Sequence, residues 1–146
     1  MRSLFLSLSA FFLMGGLCFA QNAVPSAGGG SPLKACPKSP NCVSSQAVDP
    51  EHTIGPLVYS DSRAEAYTRL KKVLGEMKRT NIVAEKEDYL HAEATSLIFR
   101  FVDDVEFYFP ATEKLIHVRS ASRVGQSDLG VNRKRVEEIR SRFAKP

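Results

Sequence analysis

The sequence predicts an α+β domain: an antiparallel β-sheet of about four strands with two helices packed on one face. Three observations carry this. Apolar residues recur at helical spacing over 61–79 and again before the C-terminus. Between those stretches lie segments that alternate apolar and polar residues. The connections between the segments are short, which makes neighbouring strands antiparallel.

The elements follow in order. Residues 1–20 read as a signal peptide: Arg2 supplies positive charge, an uncharged apolar run follows, and Ala20 with Cys18 three positions before the cut offers a small-residue cleavage site. The run is too short for a membrane span, which needs about 20 apolar residues. A lipoprotein modified at Cys18 is the alternative, but bulky Leu17 suits it poorly. No later segment is apolar enough to cross a bilayer, so no transmembrane segment is expected in the mature chain, which is placed in the periplasm or outside the cell. Residues 21–33, rich in Gly, Ser and Pro, read as a flexible linker. Residues 34–143 read as one domain.

Within that domain "IGPLVYS" is a short strand-like lead-in. "DSRAEAYTRLKKVLGEMKR" carries Ala66, Tyr67, Leu70, Val73, Leu74 and Met77 on one helical stripe, and Ser62 with Glu65 has capping-box spacing. "NIVAEKE" is a strand and Glu87-Asp88 a turn. "YLHAEATSLIFRFV" is expected extended, with Leu97, Phe99 and Phe101 on one face. "DDVEFYFP" puts Val105, Phe107 and Phe109 on one face, with Glu106 and Tyr108 on the other. "ATEK" turns and "LIHVRSASR" returns as a strand. The last helix presents Val136, Ile139 and Phe143. Asn132 is its expected N-cap, with a Val131–Val136 staple, and Asp128 is a second cap candidate.

Charge excludes one large function class. With residues 1–20 removed, 19 basic residues face 16 acidic ones, and the surplus lies after residue 114. That bias is too mild for a nucleic-acid footprint, and no binding motif accompanies it. Two cysteines outside the leader, Cys36 and Cys42, predict a disulfide in an exported chain. A zinc pair or a redox-active pair would normally be C-x-x-C.

The chemistry-bearing segment is "HVRSASRVGQSDLGVNRKR". On a strand, His117, Arg119 and Arg123 share one face while Ser120 and Ser122 share the other. The segment ends at a helix N-terminus, which favours anions. Arg119, Ser120, Ser122, Arg123, Asn132 and Arg133 are therefore the candidate anion-binding residues. The competing reading is structural. Asp103, Asp104 and Glu106 lie one strand away, and Asp128 stands at the helix start. These carboxylates can hold the arginines in ion pairs. Both readings stay open.

His91, Glu93 and His117 are weak metal candidates, and no metal or other cofactor is expected. "GQSDLG" is not a nucleophile elbow, and neither a P-loop nor a dinucleotide fingerprint occurs. The reading is a non-enzymatic domain whose partner is a small anionic ligand or an envelope protein. The alternatives are an enzyme of unknown chemistry using Asp103, Asp104 and Glu106, and an interaction module working through the open face of the sheet, for which exposed Tyr108 or Phe109 would speak.

"CPKSPNCVSS", "HAEATS", "FVDDVEFYF" and "HVRSASRVGQSDLGVNRKRVEEIR" together resemble the bacterial and plastid family called domain of unknown function 1499, over residues 36–143. Matching positions include Cys36, Asn41, Cys42, Ser44, Asp103, Asp104, Glu106, Arg119, Ser120, Ser122, Arg123, Gly125, Ser127, Asp128, Gly130, Asn132 and Arg133. The resemblance implies a small exported or membrane-attached protein and carries no activity with it.

Overall fold

A computed structural model describes residues 30–145. The signal-peptide expectation and residues 21–29 of the expected linker lie outside the described residues. The elements are β1 (Cys42–Ser44), β2 (Leu57–Val58), α1 (Arg63–Glu76), β3 (Thr80–Lys86), β4 (Tyr89–Thr95), β5 (Val102–Tyr108), β6 (Leu115–Ser122) and α2 (Val131–Phe143). The fold is α+β: a six-strand antiparallel sheet with two helices packed against it. Strands β3 to β6 form a meander, because each connection is too short for a crossover. The sheet runs β1-β6-β5-β4-β3, and β2 pairs with β6 alongside β1. The two strands beyond the expected four are two and three residues long, too short to show an alternating pattern.

The core follows the period of two. Leu90, Ala92, Val105, Phe107, Ile116 and Val118 face the helices and are fully buried. Against them pack Leu70 and Leu74 of α1 and Val136 and Ile139 of α2. Phe109 is fully buried as well and packs on the Tyr67 ring at 5.2 Å. Arg69 lies over the Phe143 ring at 4.4 Å, linking the two helices while its guanidinium holds Asp61.

Helix α1 begins with the capping box. Ser62 Oγ accepts from the Glu65 amide, and the Glu65 carboxylate accepts from the Ser62 amide. The Ser62 hydroxyl, then the Ser62 amide, both donating to the Glu65 carboxylate, hold that carboxyl below its ordinary pKa. Helix α2 departs from expectation. It starts at Val131 after Gly130, whose φ of 76° suits glycine. Asp128 supplies the cap from upstream: one carboxylate oxygen accepts from the Gly130 amide and the other from the Asn132 amide. Asn132 is thus not the N-cap. It lies inside the helix, and its side chain turns into the protein. Val131 is the first helical residue rather than the residue before the N-cap, so the expected Val131–Val136 staple does not apply.

A second departure lies in the middle of the sheet. β4 stops at Thr95, and residues 96–101 turn. The Ser96 amide donates to the Phe101 carbonyl, and the Phe101 amide donates to Ser96 Oγ. Leu97, Phe99 and Phe101 therefore do not share a strand face; they stand exposed on a loop. Their apolarity imitates a strand, but the serine closure and a left-handed Arg100, with φ of 56°, bend the chain. Cys36 and Cys42 are joined, with Cα atoms 5.7 Å apart, as the sequence predicts. Packing begins early in the described chain: Leu33 is buried, and Ser31 Oγ donates to the Gln46 side chain.

Candidate functional site

Both helices cover the same face of the sheet, and among the described residues no helix lies over the other, the open face. Three neighbouring strands furnish it. β4 contributes Tyr89, His91 and Glu93; β5 contributes Asp104, Glu106 and Tyr108; β6 contributes His117 and Arg119, with Arg123 just beyond its end. The register sets Glu106 opposite both His91 and Arg119, Asp104 opposite Glu93, and Tyr108 opposite both Tyr89 and His117. Direct opposition brings Arg119 to Glu106 and Tyr108 to His117, while Tyr89 reaches Glu106 and His91 reaches Asp104 as diagonal neighbours.

The contacts fall into three groups side by side on this face. Arg119 Nη1 donates to Glu106 Oε2 at 2.8 Å, and the Tyr89 hydroxyl donates to Glu106 Oε1 at 2.7 Å. Arg119 and Glu106 are 12% and 13% exposed, deep for a pair on an uncovered face. Arg119 Nε is buried without a partner among the described residues, and Glu106 is the carboxylate that neutralises that guanidinium. His91 Nε2 lies 2.7 Å from Asp104 Oδ1. Arg123 holds Asp104 through Nε at 3.0 Å and Nη2 at 2.8 Å, and its Nη2 also holds Glu93. Tyr108 stacks on His117, whose Nδ1 lies 3.1 Å from Ser45 Oγ.

Protonation follows from these contacts. Arg123, then His91, hold the Asp104 carboxyl below its ordinary range. Asp104 and Glu93 raise Arg123 further. Burial, then Glu106, push the Tyr89 phenol up, so it stays a donor. Burial pushes His117 down, which favours the neutral ring. Three carboxylates therefore meet two guanidiniums. An anion arriving at Arg119 or Arg123 would have to displace a carboxylate already in place.

The opposite face of the same strands carries a separate, covered network. Asp103 alternates with Val105 and Phe107 and points under α2, where Arg135 Nη2 donates to its Oδ2 at 2.6 Å. Ser120 Oγ donates to Asn132 Oδ1 at 2.5 Å, and Arg135 Nη1 donates to the same oxygen at 2.7 Å. Asn132 Nδ2 donates to Ser122 Oγ and to the Asn41 carbonyl. Asp103, Ser120, Asn132 and Asn41 are all buried. Helix α2 is thus fastened by its first two turns to β5, β6 and the entry to β1.

The six candidate anion ligands do not converge. Arg119 and Arg123 lie on the open face; Ser120, Ser122 and Asn132 lie on the covered face. Arg133 reaches a third place, donating to the carbonyls of Thr53 and Glu51. The acidic cluster divides likewise: Asp103 faces α2, Asp104 and Glu106 face outward, and Asp128 caps α2. Adjacent residues on a strand point to opposite faces, which separates Asp103 from Asp104 and Arg119 from Ser120. Phe109 is buried, and Tyr108 alone of the two aromatics stands on the open face. His91, Glu93 and His117 are engaged with Asp104, Arg123 and Ser45 respectively. Among the described residues, no three His, Cys, Asp or Glu side chains gather as a metal set.

Arg135, Tyr89 and Ser45 are members of these networks that the sequence reading does not include, and His52 anchors a separate set of contacts. Arg135 was accessible from helical spacing, since it stands three residues after Asn132 on the same face. Tyr89 stands two residues before His91, a period-two neighbour. Nothing local marks Ser45 or His52. The buried His52 places Nδ1 at 2.6 Å from Asp49 Oδ1 and Nε2 at 3.1 Å from the Ser39 carbonyl. Both partners are acceptors, so the imidazolium satisfies both, and its pKa is raised by the Ser39 carbonyl first and Asp49 second. His52 thereby ties the disulfide loop to the loop that follows β1.

Clefts of about 560 and 660 Å³ lie away from both networks. The first is lined by α1 and the end of β3, including Tyr67 and Lys86, and the second by α1 and α2, including Lys72 and Glu138. Neither holds Asp103, Asp104 or Glu106.

Neither a curated protein nor a solved structure matches the chain. A family model, described as protein of unknown function (DUF1499), matches residues 32–143, and the chain belongs to that family.

Proposed function

We propose that this chain is a non-enzymatic binding domain of the cell envelope that docks an envelope protein on the open face of its sheet. One observation carries the reading. The face left uncovered by both helices bears an ordered set of ionic and aromatic side chains whose inner pair, Arg119 and Glu106, is nearly buried. Polar side chains fixed by mutual bonds are preorganised, so less ordering cost attends association. The mixture of three carboxylates, two guanidiniums and two phenols suits a protein surface with donors and acceptors of its own. It suits a free anion poorly, since both guanidiniums already hold carboxylates. The Cys36–Cys42 disulfide supports an oxidising compartment, in keeping with the leader read at residues 1–20.

The test is crosslinking in cells from a photoreactive residue placed at Tyr108, on the open face, or at Lys72, on the exposed side of α1. A discrete adduct from position 108 that is absent from position 72 supports the proposal. Adducts of equal yield from both faces, or none from 108, would sink it.

A further inference from the structure

One end of the sheet carries a feature that neither network uses. It is formed by the 96–101 turn, the entry to β3 and the segment after β6: the Thr95 amide donates to the Arg79 carbonyl, and the Arg123 amide donates to the Val102 carbonyl. Of the ten large apolar residues that stand exposed among the described residues, four, Leu97, Ile98, Phe99 and Phe101, fall in the 96–101 turn. In the turn, Leu97 is 69%, Ile98 78% and Phe99 73% exposed. Phe99 and Phe101 stack on each other at 5.6 Å rather than on the core. Val124 and Leu129 add to the surface from the segment between β6 and α2. An apolar concentration of this kind marks a contact surface.

Charge and backbone select the partner. Lys78, Arg79 and Arg100 flank the apolar turn, and none of them forms an ion pair among the described residues. The nearby acids are engaged: Glu93 and Asp104 hold Arg123, and Asp128 caps α2. Among the described residues, the non-glycine residues with left-handed φ are Arg79, Arg100 and Leu129, and the first two flank the turn. Each costs about 1–2 kcal/mol, a strain that concentrates at working surfaces. Apolar side chains on a projecting turn, flanked by unpaired cations, match a lipid interface. The rings enter the acyl boundary while guanidinium and ammonium groups meet phosphates.

We propose that the 96–101 turn inserts Leu97, Ile98 and Phe99 into the surface of an anionic membrane, with Lys78, Arg79 and Arg100 on the headgroups. This surface lies at the end of the sheet and is separate from the open face.

The chain has no tryptophan, so Phe99→Trp provides a single fluorescent reporter. With phosphatidylglycerol/phosphatidylcholine vesicles its emission should shift to the blue and be quenched by brominated acyl chains; with pure phosphatidylcholine the shift should be much smaller. In vesicle flotation of the full chain, Arg79→Gln with Arg100→Gln should weaken binding about 30-fold. Leu97→Ser with Ile98→Ser and Phe99→Ser should weaken it at least about tenfold. These side chains are exposed, so the variants should keep the wild-type fold. No flotation of the wild type overturns the proposal. Flotation equal in wild type and variants also overturns it, since the leader then accounts for the binding. A dimer that dissociates in Phe99→Ser, without vesicle binding, overturns it in favour of a second copy of the chain.

Discussion

Arg135→Ala should be the most destabilising single change among the polar residues. The side chain donates to Asp103 Oδ2 at 2.6 Å, to Asn132 Oδ1 at 2.7 Å and to Ser120 Oγ at 3.2 Å. Arg135 and Asp103 are 11% and 7% exposed, so water cannot replace the guanidinium around the orphaned carboxylate. Asn132 Oδ1 keeps its bond from Ser120, so the main loss is at Asp103. Removing one partner of a buried pair costs about 3–5 kcal/mol. A domain of this size has about 5–15 kcal/mol in total. With a urea slope of about 2 kcal/mol/M, the unfolding midpoint should fall by about 2 M. The assay is urea unfolding followed by circular dichroism with the disulfide intact. Asp103→Leu combined with Arg135→Met should recover most of the loss, because a buried pair exchanged for apolar groups is often neutral. A loss under about 1 kcal/mol for Arg135→Ala would refute the argument that this network fastens α2.

Three further outcomes are expected. Replacing both Cys36 and Cys42 by Ser should cost about 2 kcal/mol, the modest figure for so short a closed loop, measured by the same unfolding. Arg119→Ala should cost about 1–3 kcal/mol by leaving Glu106 without its cation. Arg123→Ala, on a more exposed side chain, should cost under about 1 kcal/mol, and equal costs would contradict the difference in burial. His52→Gln tests the raised pKa of His52. Its stabilising contribution is fully present below the unfolded value of 6.5 and is lost as pH rises through the folded value. The stability difference between wild type and variant should therefore be largest on the acidic side and shrink with rising pH; a difference independent of pH contradicts it.

Much of the fold was legible because its elements obey simple periods. Ala66, Leu70, Val73 and Leu74 mark α1, and Val105 with Phe107 marks the core face of β5. The 96–101 turn was misread because Leu97, Phe99 and Phe101 alternate as a buried strand does. What bends them is Ser96 closing on Phe101, a bond between neighbours that periodicity does not register. β1 escaped notice because three residues, Cys42–Ser44, owe their extended form to pairing with β6, some eighty residues later.

The site was legible in composition but not in arrangement. The arginines and carboxylates of the 117–135 and 103–106 segments do hold one another, as the structural reading of the sequence expects. The period of two already separates Asp103 from Asp104 and Arg119 from Ser120. Grouping these residues by type rather than by face is what merged two networks into one candidate site. Residues near in sequence and alike in charge can serve opposite sides of one strand, one side for stability and one for contact.

The central claim is that the open face binds and the covered face holds the fold. It is tested most directly by photo-crosslinking from Tyr108 in a chain carrying Glu93→Gln and Arg123→Gln. The unfolding midpoint is measured on the same variant. These changes alter the exposed edge of the network and leave Arg119 on Glu106. The expected result is a stability within about 1 kcal/mol of wild type and loss of the adduct. An adduct of undiminished yield in a fully folded variant would contradict it.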